Sequence, residues 1–151
     1  MTSIWRSLAV LAVVCARPAA AQTMLEAGGQ ALITTADPAL VTGGLYGAVR
    51  ASTRMRLALT AGLGVSDGRA AGRGELLAHF LLSPAAKSGP GVYVGGGIAG
   101  VVGAVDQGYV VALVGLEAAP GGRSGWAIEA GVGGGVRLTA GWRWRRAIRK
   151  H

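Results

Sequence analysis

The 151-residue sequence has few of the residues that form disulfides, metal sites and membrane-spanning helices. Its single cysteine excludes an internal disulfide framework, and with only two histidines no cluster of metal ligands is visible. Beyond the first twenty residues there is no run of about eighteen uncharged apolar residues, which argues against a membrane-spanning helix. Charged residues make up only 15% of the chain, although 51% of it is hydrophobic. The apolar residues must therefore lie in short elements.

The N-terminal segment has the three parts of a secretory signal peptide. Residues 1–6 carry one positive charge, residues 8–15 are apolar, and the small residues of ARPAAAQ allow cleavage after Ala21. We therefore predict export, with residues 1–21 removed; a short buried N-terminal helix is the alternative. A lipoprotein acylated at Cys15 is disfavoured because no small residue directly precedes this cysteine. Cleavage after Ala21 leaves a mature chain without cysteine, and so without thiol chemistry.

The excess of basic residues does not point to nucleic acid. The formal net charge of +8 includes Arg6 and Arg17, and their removal leaves 13 basic and 7 acidic residues. The extreme C-terminus supplies four of these basic residues: Arg145, Arg146, Arg149 and Lys150. Because an exported protein rarely meets nucleic acid, we predict a solvated basic tail at residues 147–151 that rests on anionic lipid headgroups.

Clusters of Gly, Pro, Asp and Ser divide the mature chain into eight segments. Their predicted bounds are residues 24–34, 39–50, 54–66, 73–83, 91–101, 109–117, 126–132 and 136–145. Nearly every segment alternates with a period of two, as in RMRLALTAGLGVS, where Leu57 and Leu59 oppose Arg56 and Thr60. This period predicts an all-β chain. Eight antiparallel strands of about ten residues close into a small up-and-down barrel, which removes exposed sheet edges.

The composition of the two strand faces indicates which face points outward. With the apolar face inward, the wet surface would be mostly Gly, Ala and Thr, well short of the roughly quarter to third of charged residues typical of soluble domains. With the apolar face outward, Leu, Val, Ile and Trp meet lipid and the charged residues pair inside. The segment lengths also suit tilted membrane-spanning strands. We therefore predict a transmembrane β-barrel over residues 22–146.

Two sets of residues follow from this orientation. The inward-facing charged set should hold the barrel rigid as a lumen network: Glu26, Arg50, Arg54, Arg56, Arg73, Glu75, His79, Glu129, Arg137 and Arg143. Aromatic residues near strand ends should lie at the lipid headgroups: Tyr109, Trp126, Trp142 and Trp144. The alternative for these aromatics is the core of a soluble barrel. Eight strands enclose only enough space for side chains, so Tyr46, Tyr93, Leu77 and Leu81 should help to fill a non-conducting lumen.

VYVGGGIAG at residues 92–100 has the spacing of a dinucleotide-binding motif. Gly95, Gly97 and Gly100 satisfy G-x-G-x-x-G, and Glu117 follows at the distance of a ribose-binding acid. The motif requires a helix after the third glycine, but VVGAVDQ allows two turns at most. No alternation of strands and helices supports a parallel sheet, and 27 glycines make chance matches easy. We therefore expect no nucleotide and no other cofactor.

A second possible chemistry is catalysis through His79, which shares a strand face with Glu75, while Ser83 lies at the far end of the segment. Residues four apart in a strand are about 13 Å from each other, too far for a direct proton relay. A lone histidine among lumen charges is more often a member of a hydrogen-bonded network. We predict no catalytic residues, and a lipid-modifying enzyme of the outer membrane is kept as the minor alternative.

The chain resembles the small eight-stranded outer-membrane β-barrel proteins of Gram-negative bacteria. The resemblance covers about residues 24–146 and rests on the signal peptide, the strand count and the closing hairpin GWAIEAGVGGGVRLTAGWRWRR. It implies both termini in the periplasm and short outer loops near residues 35–38, 67–72, 102–107 and 133–135. In that family the last strand commonly ends on a terminal aromatic residue, whereas here GWRW is followed by RRAIRKH.

These observations predict a non-enzymatic, monomeric integral protein of the outer membrane with a structural or interaction role. Its partners should be outer-membrane lipid and lipopolysaccharide. The alternative of a different class is a soluble exported barrel that binds a small apolar ligand.

Overall fold

The computed structural model describes residues 23–104 and 106–148, which form a closed barrel of eight strands. The strands are β1 (Met24–Thr34), β2 (Leu40–Arg50), β3 (Met55–Ser66), β4 (Arg69–Leu81), β5 (Pro90–Val102), β6 (Gln107–Ala118), β7 (Ser124–Val132) and β8 (Val136–Ala147). Each strand is antiparallel to its neighbours in chain order, and β8 closes the barrel by pairing with β1 from Met24↔Ala147 to Thr34↔Arg137. The prediction of an all-β, eight-stranded, up-and-down barrel is confirmed.

The predicted signal peptide, residues 1–21, lies outside the described residues, as does the tail beyond residue 148. Within the described ranges, no helix has the length and hydropathy needed to cross a membrane.

The strands expose their apolar face and bury their polar face. Along β3 the side chains of Leu57, Leu59 and Leu63 are 46%, 62% and 78% exposed, whereas Arg56 and Thr60 are buried. The same alternation recurs on the other strands, because successive side chains in a strand point to opposite faces of the sheet. The barrel therefore has an apolar outer wall around an interior rich in charge.

The turn between β3 and β4 is shorter than the loop predicted from the sequence at residues 67–72. It consists of Asp67 and Gly68, whose φ angles are 49° and 70°. Positive φ at both central positions is the signature of a type I′ turn, whose twist matches that of the flanking strands. β4 therefore begins at Arg69, and most of the predicted loop at residues 67–72 belongs to a strand.

The barrel has two distinct ends. We call the end where β1 begins and β8 finishes the terminal end; its connections are residues 51–54, 82–89 and 119–123. We call the opposite end the loop end; its connections are residues 35–39, 67–68, 103–106 and 133–135. Both described chain ends thus lie on one side of the barrel.

Candidate functional site in the barrel lumen

The interior holds most of the charge of the described chain. Its buried charged residues are four glutamates and six arginines: Glu26, Glu75, Glu117, Glu129, Arg50, Arg56, Arg73, Arg137, Arg143 and Arg145. Burial of an isolated charge is very costly, so each of these groups requires a partner inside the barrel. The lumen is therefore best described by its ion pairs.

The first group of ion pairs lies near the terminal end. Glu26 accepts a hydrogen bond from Arg50 Nε at 2.7 Å and another from Arg56 Nη1 at 3.2 Å. Glu117 Oε2 accepts bonds from Arg56 at 2.9 Å, from Arg145 at 3.0 Å and from Arg143 at 3.3 Å. Two carboxylates on β1 and β6 thus bridge four arginines from β2, β3 and β8.

The second group lies further toward the loop end. Glu75 accepts bonds from Arg73 Nε at 2.8 Å and from Arg137 Nη2 at 2.6 Å. Glu129 accepts bonds from Arg137 Nη1 at 2.8 Å and from Arg143 Nη2 at 2.7 Å. Because Arg143 also contacts Glu117, it joins the second group to the first. The result is one continuous network of ion pairs along the lumen.

Aromatic side chains fill the space around these charges. Tyr93 donates its hydroxyl to Glu129 at 2.8 Å, and the Arg56 guanidinium lies 4.6 Å from the centre of its ring. The Arg143 guanidinium lies 4.2 Å from the ring of Tyr46. A guanidinium over an aromatic face gains electrostatic attraction while its edge stays free for hydrogen bonds. Through Tyr93, β5 joins the network, which then includes side chains from all eight strands.

His79 lies inside this network and has no exposed surface. Its Nδ1 accepts a hydrogen bond from Arg56 Nε at 3.1 Å, and its ring centre lies 5.1 Å from that of Tyr93. Two glycines make room for these rings: a Cβ at Gly95 would overlap His79, and one at Gly115 would overlap Tyr93. Small residues on β5 and β6 therefore allow two rings to fit in a narrow barrel.

The structure buries nearly all of the predicted lumen residues. Those that it places inside are Glu26, Arg50, Arg56, Arg73, Glu75, His79, Glu129, Arg137 and Arg143. The exception is Arg54, for which the prediction is wrong. Arg54 precedes β3 in the turn at the terminal end, and its side chain is exposed there. Arg54 and Arg56 are two residues apart, so alternation assigns them to the same face of a strand. However, β3 begins only at Met55, and Arg54 lies outside the barrel wall.

The predicted interface aromatics separate into two groups. Trp126, Trp142 and Trp144 lie on the outer wall near the terminal end and are 39%, 46% and 58% exposed. Tyr109 was predicted wrongly, because the alternation of β6 turns it inward with Val111. Its hydroxyl donates to Gln107 at 2.9 Å, and the Arg73 guanidinium lies 5.9 Å from its ring.

Two members of the network were not predicted from the sequence, Glu117 and Arg145. Glu117 lies in a segment that is apolar on both faces, and its position suggested a nucleotide-binding acid. Arg145 was counted only as one of the basic residues of the extreme C-terminus and was not assigned to the lumen. Alternation along β8 could have identified Arg145, because it lies two residues after Arg143 and therefore faces the lumen as Arg137 and Arg143 do.

The two alternative chemistries have no assembled site. Gly95, Gly97 and Gly100 all lie within β5, which is followed by a connection and then by β6. Glu75 is engaged by two arginines and Ser83 is exposed beyond β4, so neither contacts His79 as a relay would require. No group of three potential metal ligands occurs in the part of the chain that the structure describes.

The interior spaces found toward the loop end are small. One cavity of about 10 Å³ lies among Thr42, Thr60 and Arg73, and another of about 40 Å³ opens at the loop end between Asp37 and Tyr109. The first is about the size of one water molecule. Both spaces are therefore far smaller than a pocket for a small-molecule ligand.

Two solved structures share this architecture. The N-terminal β-barrel domain of OprF from Pseudomonas aeruginosa matches with a TM-score of 0.60 at 15% identity, over 83% of this chain and 98% of that chain. The outer membrane protein OprG from the same organism matches with a TM-score of 0.55 at 11% identity, over 85% and 97%. No protein-family model matches the sequence, and neither does any curated protein. The fold is therefore that of small eight-stranded outer-membrane β-barrels, as the resemblance in sequence pattern predicts.

Proposed function

We propose that this chain is an integral β-barrel of the outer membrane with a structural or interaction role. The observation that carries the proposal is the distribution of side chains: the interior holds ten charged residues in one ion-pair network, while the outer wall is lined with leucine, valine, isoleucine and tryptophan. In water this arrangement would expose apolar surface on every side of the molecule. In a bilayer the same wall meets hydrocarbon, and the closed barrel satisfies its backbone hydrogen bonds internally.

The orientation that we propose places the terminal end at the periplasm and the loop end outside. The fold shared with outer-membrane barrels supports this arrangement, as do the export signal predicted at residues 1–21 and the short connections of the loop end. The three outer-wall tryptophans would then lie at the periplasmic headgroups. Outer-membrane lipid, including lipopolysaccharide on the outer face, is the proposed partner of a monomeric barrel.

Cell fractionation followed by gel migration tests the location. We expect the mature chain in the outer-membrane pellet, with faster migration when unheated than when boiled and with resistance to protease. Recovery of a dissolved monomer from the periplasmic supernatant would overturn the proposal in favour of the soluble ligand-binding barrel. The buried network disfavours that second class, because charged side chains occupy the space that an apolar ligand would need.

We further propose that the lumen does not conduct ions. Arg56 and Arg143 reach across the interior to carboxylates on other strands, and Tyr46 and Tyr93 fill the space beside them. Reconstitution into planar bilayers tests this point, and we expect no stable conductance steps. Reproducible unitary steps from the purified chain would show that the network opens a path.

No catalytic role is proposed for the lumen histidine. Its Nδ1 already accepts a bond from Arg56, and the ring is enclosed. Incubation of the purified barrel with phospholipid or lipopolysaccharide should release no acyl chains. Release that disappears in His79→Gln would instead establish the lipid-modifying enzyme.

A further inference from the structure

The outer wall of the barrel is not uniformly convex. Near the terminal end it contains a groove of about 620 Å³ with an apolar lining, which crosses β8, β1, β2 and β3 and reaches Leu76 on β4. The pairing register explains its shape. At one level around the wall, Trp144 lies beside Ala27, Ala27 beside Gly47, and Gly47 beside Leu59. Two small residues between two large ones leave a depression in the lipid-facing surface.

The groove begins at a basic side chain. Arg146 lies two residues beyond Trp144 on β8, is exposed, and pairs in register with Leu25. A strand rises about 3.3 Å per residue, so Arg146 is roughly 7 Å closer to the terminal end than the floor at Ala27 and Gly47. The groove therefore runs from a cation at the rim of the barrel into the apolar wall.

The exposed charges are divided between the two ends of the barrel. The exposed basic residues of the described terminal end are Arg54, Lys87, Arg123 and Arg146. The three aspartates of the chain, Asp37, Asp67 and Asp106, are all exposed at the loop end, and every glutamate is buried in the lumen. Among the described residues, the terminal end thus exposes basic side chains and no acidic one, which favours an anionic lipid surface.

We propose that this groove binds an anionic glycerophospholipid, with one acyl chain over Ala27 and Gly47 and the phosphate at Arg146. The inference rests on the proposed membrane location and specifies which lipid is held and where. An anionic occupant is favoured over a neutral one because the rim is cationic. An acyl chain is favoured because the groove is apolar and points along the wall toward the bilayer centre.

A second groove on the same wall provides a matched comparison. It has a volume of about 530 Å³, lies nearer the loop end around Gly43, Leu45 and Leu63, and is also apolar. Its basic lining residue, Arg73, is buried in the lumen and paired with Glu75. This groove should accept acyl chains without any preference for an anionic headgroup.

Gly47 and Gly43 allow either groove to be filled separately. Both glycines are on β2, and a Cβ built on either one meets no atom within 4 Å. A leucine at either position therefore occupies the groove without a clash at its Cβ. Gly47→Leu blocks the proposed site, and Gly43→Leu is its control.

Native mass spectrometry of the full mature chain, released from detergent with equal phosphatidylglycerol and phosphatidylcholine, tests the proposal. We expect the wild type to retain phosphatidylglycerol preferentially. Arg146→Gln should lower that preference about fivefold, the factor that corresponds to about 1 kcal/mol per cation near an anionic surface. Arg69→Gln, an exposed arginine at the loop end, should leave it unchanged. Gly47→Leu should remove the retained phosphatidylglycerol, and Gly43→Leu should not.

Equal retention of the two lipids by the wild type would overturn the lipid site, as would equal losses in Gly47→Leu and Gly43→Leu. Insertion into vesicles and the heat-dependent gel shift are measured on the same samples. A chain that inserts and shifts but shows no lipid preference refutes only the groove. A wild-type chain that does not insert refutes the membrane location itself.

Discussion

Arg56 and Arg54 are two residues apart, but they differ in their surroundings. Arg56 has no exposed surface and bonds to Glu26, Glu117 and His79, whereas Arg54 is exposed in the turn before β3. We expect Arg56→Leu to destabilise the folded barrel by about 3 kcal/mol, because it leaves the buried Glu26 Oε2 and His79 Nδ1 without the hydrogen bonds that Arg56 donates. Unfolding in urea, followed by tryptophan fluorescence in detergent, measures this loss.

Arg54→Leu is the matched control, since it makes the same chemical change on the same segment at an exposed position. It should alter the unfolding free energy by less than about 0.5 kcal/mol. Similar losses in the two variants would mean that the Arg56 ion pairs contribute nothing specific to stability.

Glu117 should be more sensitive than any single lumen arginine. It accepts bonds from Arg56, Arg143 and Arg145, and six arginines already face four glutamates in the lumen. Glu117→Gln raises that cationic excess, so we expect a greater loss of stability than in Arg56→Leu. The same urea titration compares the variants, with Asp67→Asn at the exposed β3–β4 turn as the control for loss of one acidic charge. A smaller loss in Glu117→Gln than in Arg56→Leu would contradict the charge-excess argument.

For individual residues, the alternation of side chains along each strand was sufficient to predict which of them face the lumen, except near the ends of strands. Alternation fixes the face of a residue, and it correctly put Glu26, Arg73 and Arg137 inside. It does not fix the depth at which the lumen ends, so Arg54 was misplaced. Alternation also gives no answer where both faces of a strand are apolar, as on β6. There the prediction placed Tyr109 on the outer wall and did not assign Glu117 to the lumen.

At the scale of elements, the β3–β4 turn depends on Gly68. Its φ of +70° lies in the left-handed region, which costs an L-residue roughly 1–2 kcal/mol. Gly68→Ala should therefore destabilise the hairpin by about that amount, and Gly68→Asn by less, because asparagine tolerates this conformation. Gly100→Ala in β5 is the control, since its Cβ meets no atom within 4 Å. Equal unfolding midpoints for Gly68→Ala and Gly100→Ala would exclude the proposed strain.

The element bounds show what turn residues and alternation can each provide. Alternation alone located β3 and β8 closely, because both have a regular period of two. The start of β4 was missed by four residues, because the Gly- and Ala-rich stretch after Asp67 was taken as loop. The Asp-Gly pair indicates a two-residue hairpin, and the strand that follows such a turn must begin at once.

At the scale of the whole molecule, the distribution of charge follows a simple division. The glutamates lie in the lumen, the aspartates at the loop end, and the exposed basic residues mainly at the terminal end. The two ends of the barrel therefore differ in exposed charge, and this difference matches the proposed orientation, in which the basic terminal end faces the periplasmic headgroups. The scarcity of charged residues in the sequence was enough to predict an apolar outer wall. The separation of charge between the two ends could not be predicted, because it depends on which residues lie at the same end of the barrel.

Closure of the barrel makes β8 indispensable to the whole fold. β8 pairs with β1 along eleven residue positions, from Met24↔Ala147 to Thr34↔Arg137, and it pairs with β7 on its other side. It also carries Arg137, Arg143 and Arg145, which form ion pairs with Glu75 on β4, Glu129 on β7 and Glu117 on β6. A chain that stops after Gly135 should therefore leave two open sheet edges and a lumen without half of its arginines.

We expect that truncated chain to give no heat-dependent gel shift and to be degraded by protease in detergent. A chain that stops after Ile148 retains the described barrel, including the bond from Ile148 N to Thr23 O at 2.8 Å. It should shift and resist protease like the full mature chain, because all eight strands and the β8–β1 pairing end by Ala147. A protected core in the shorter chain would mean that seven strands close without β8, which the present register does not allow.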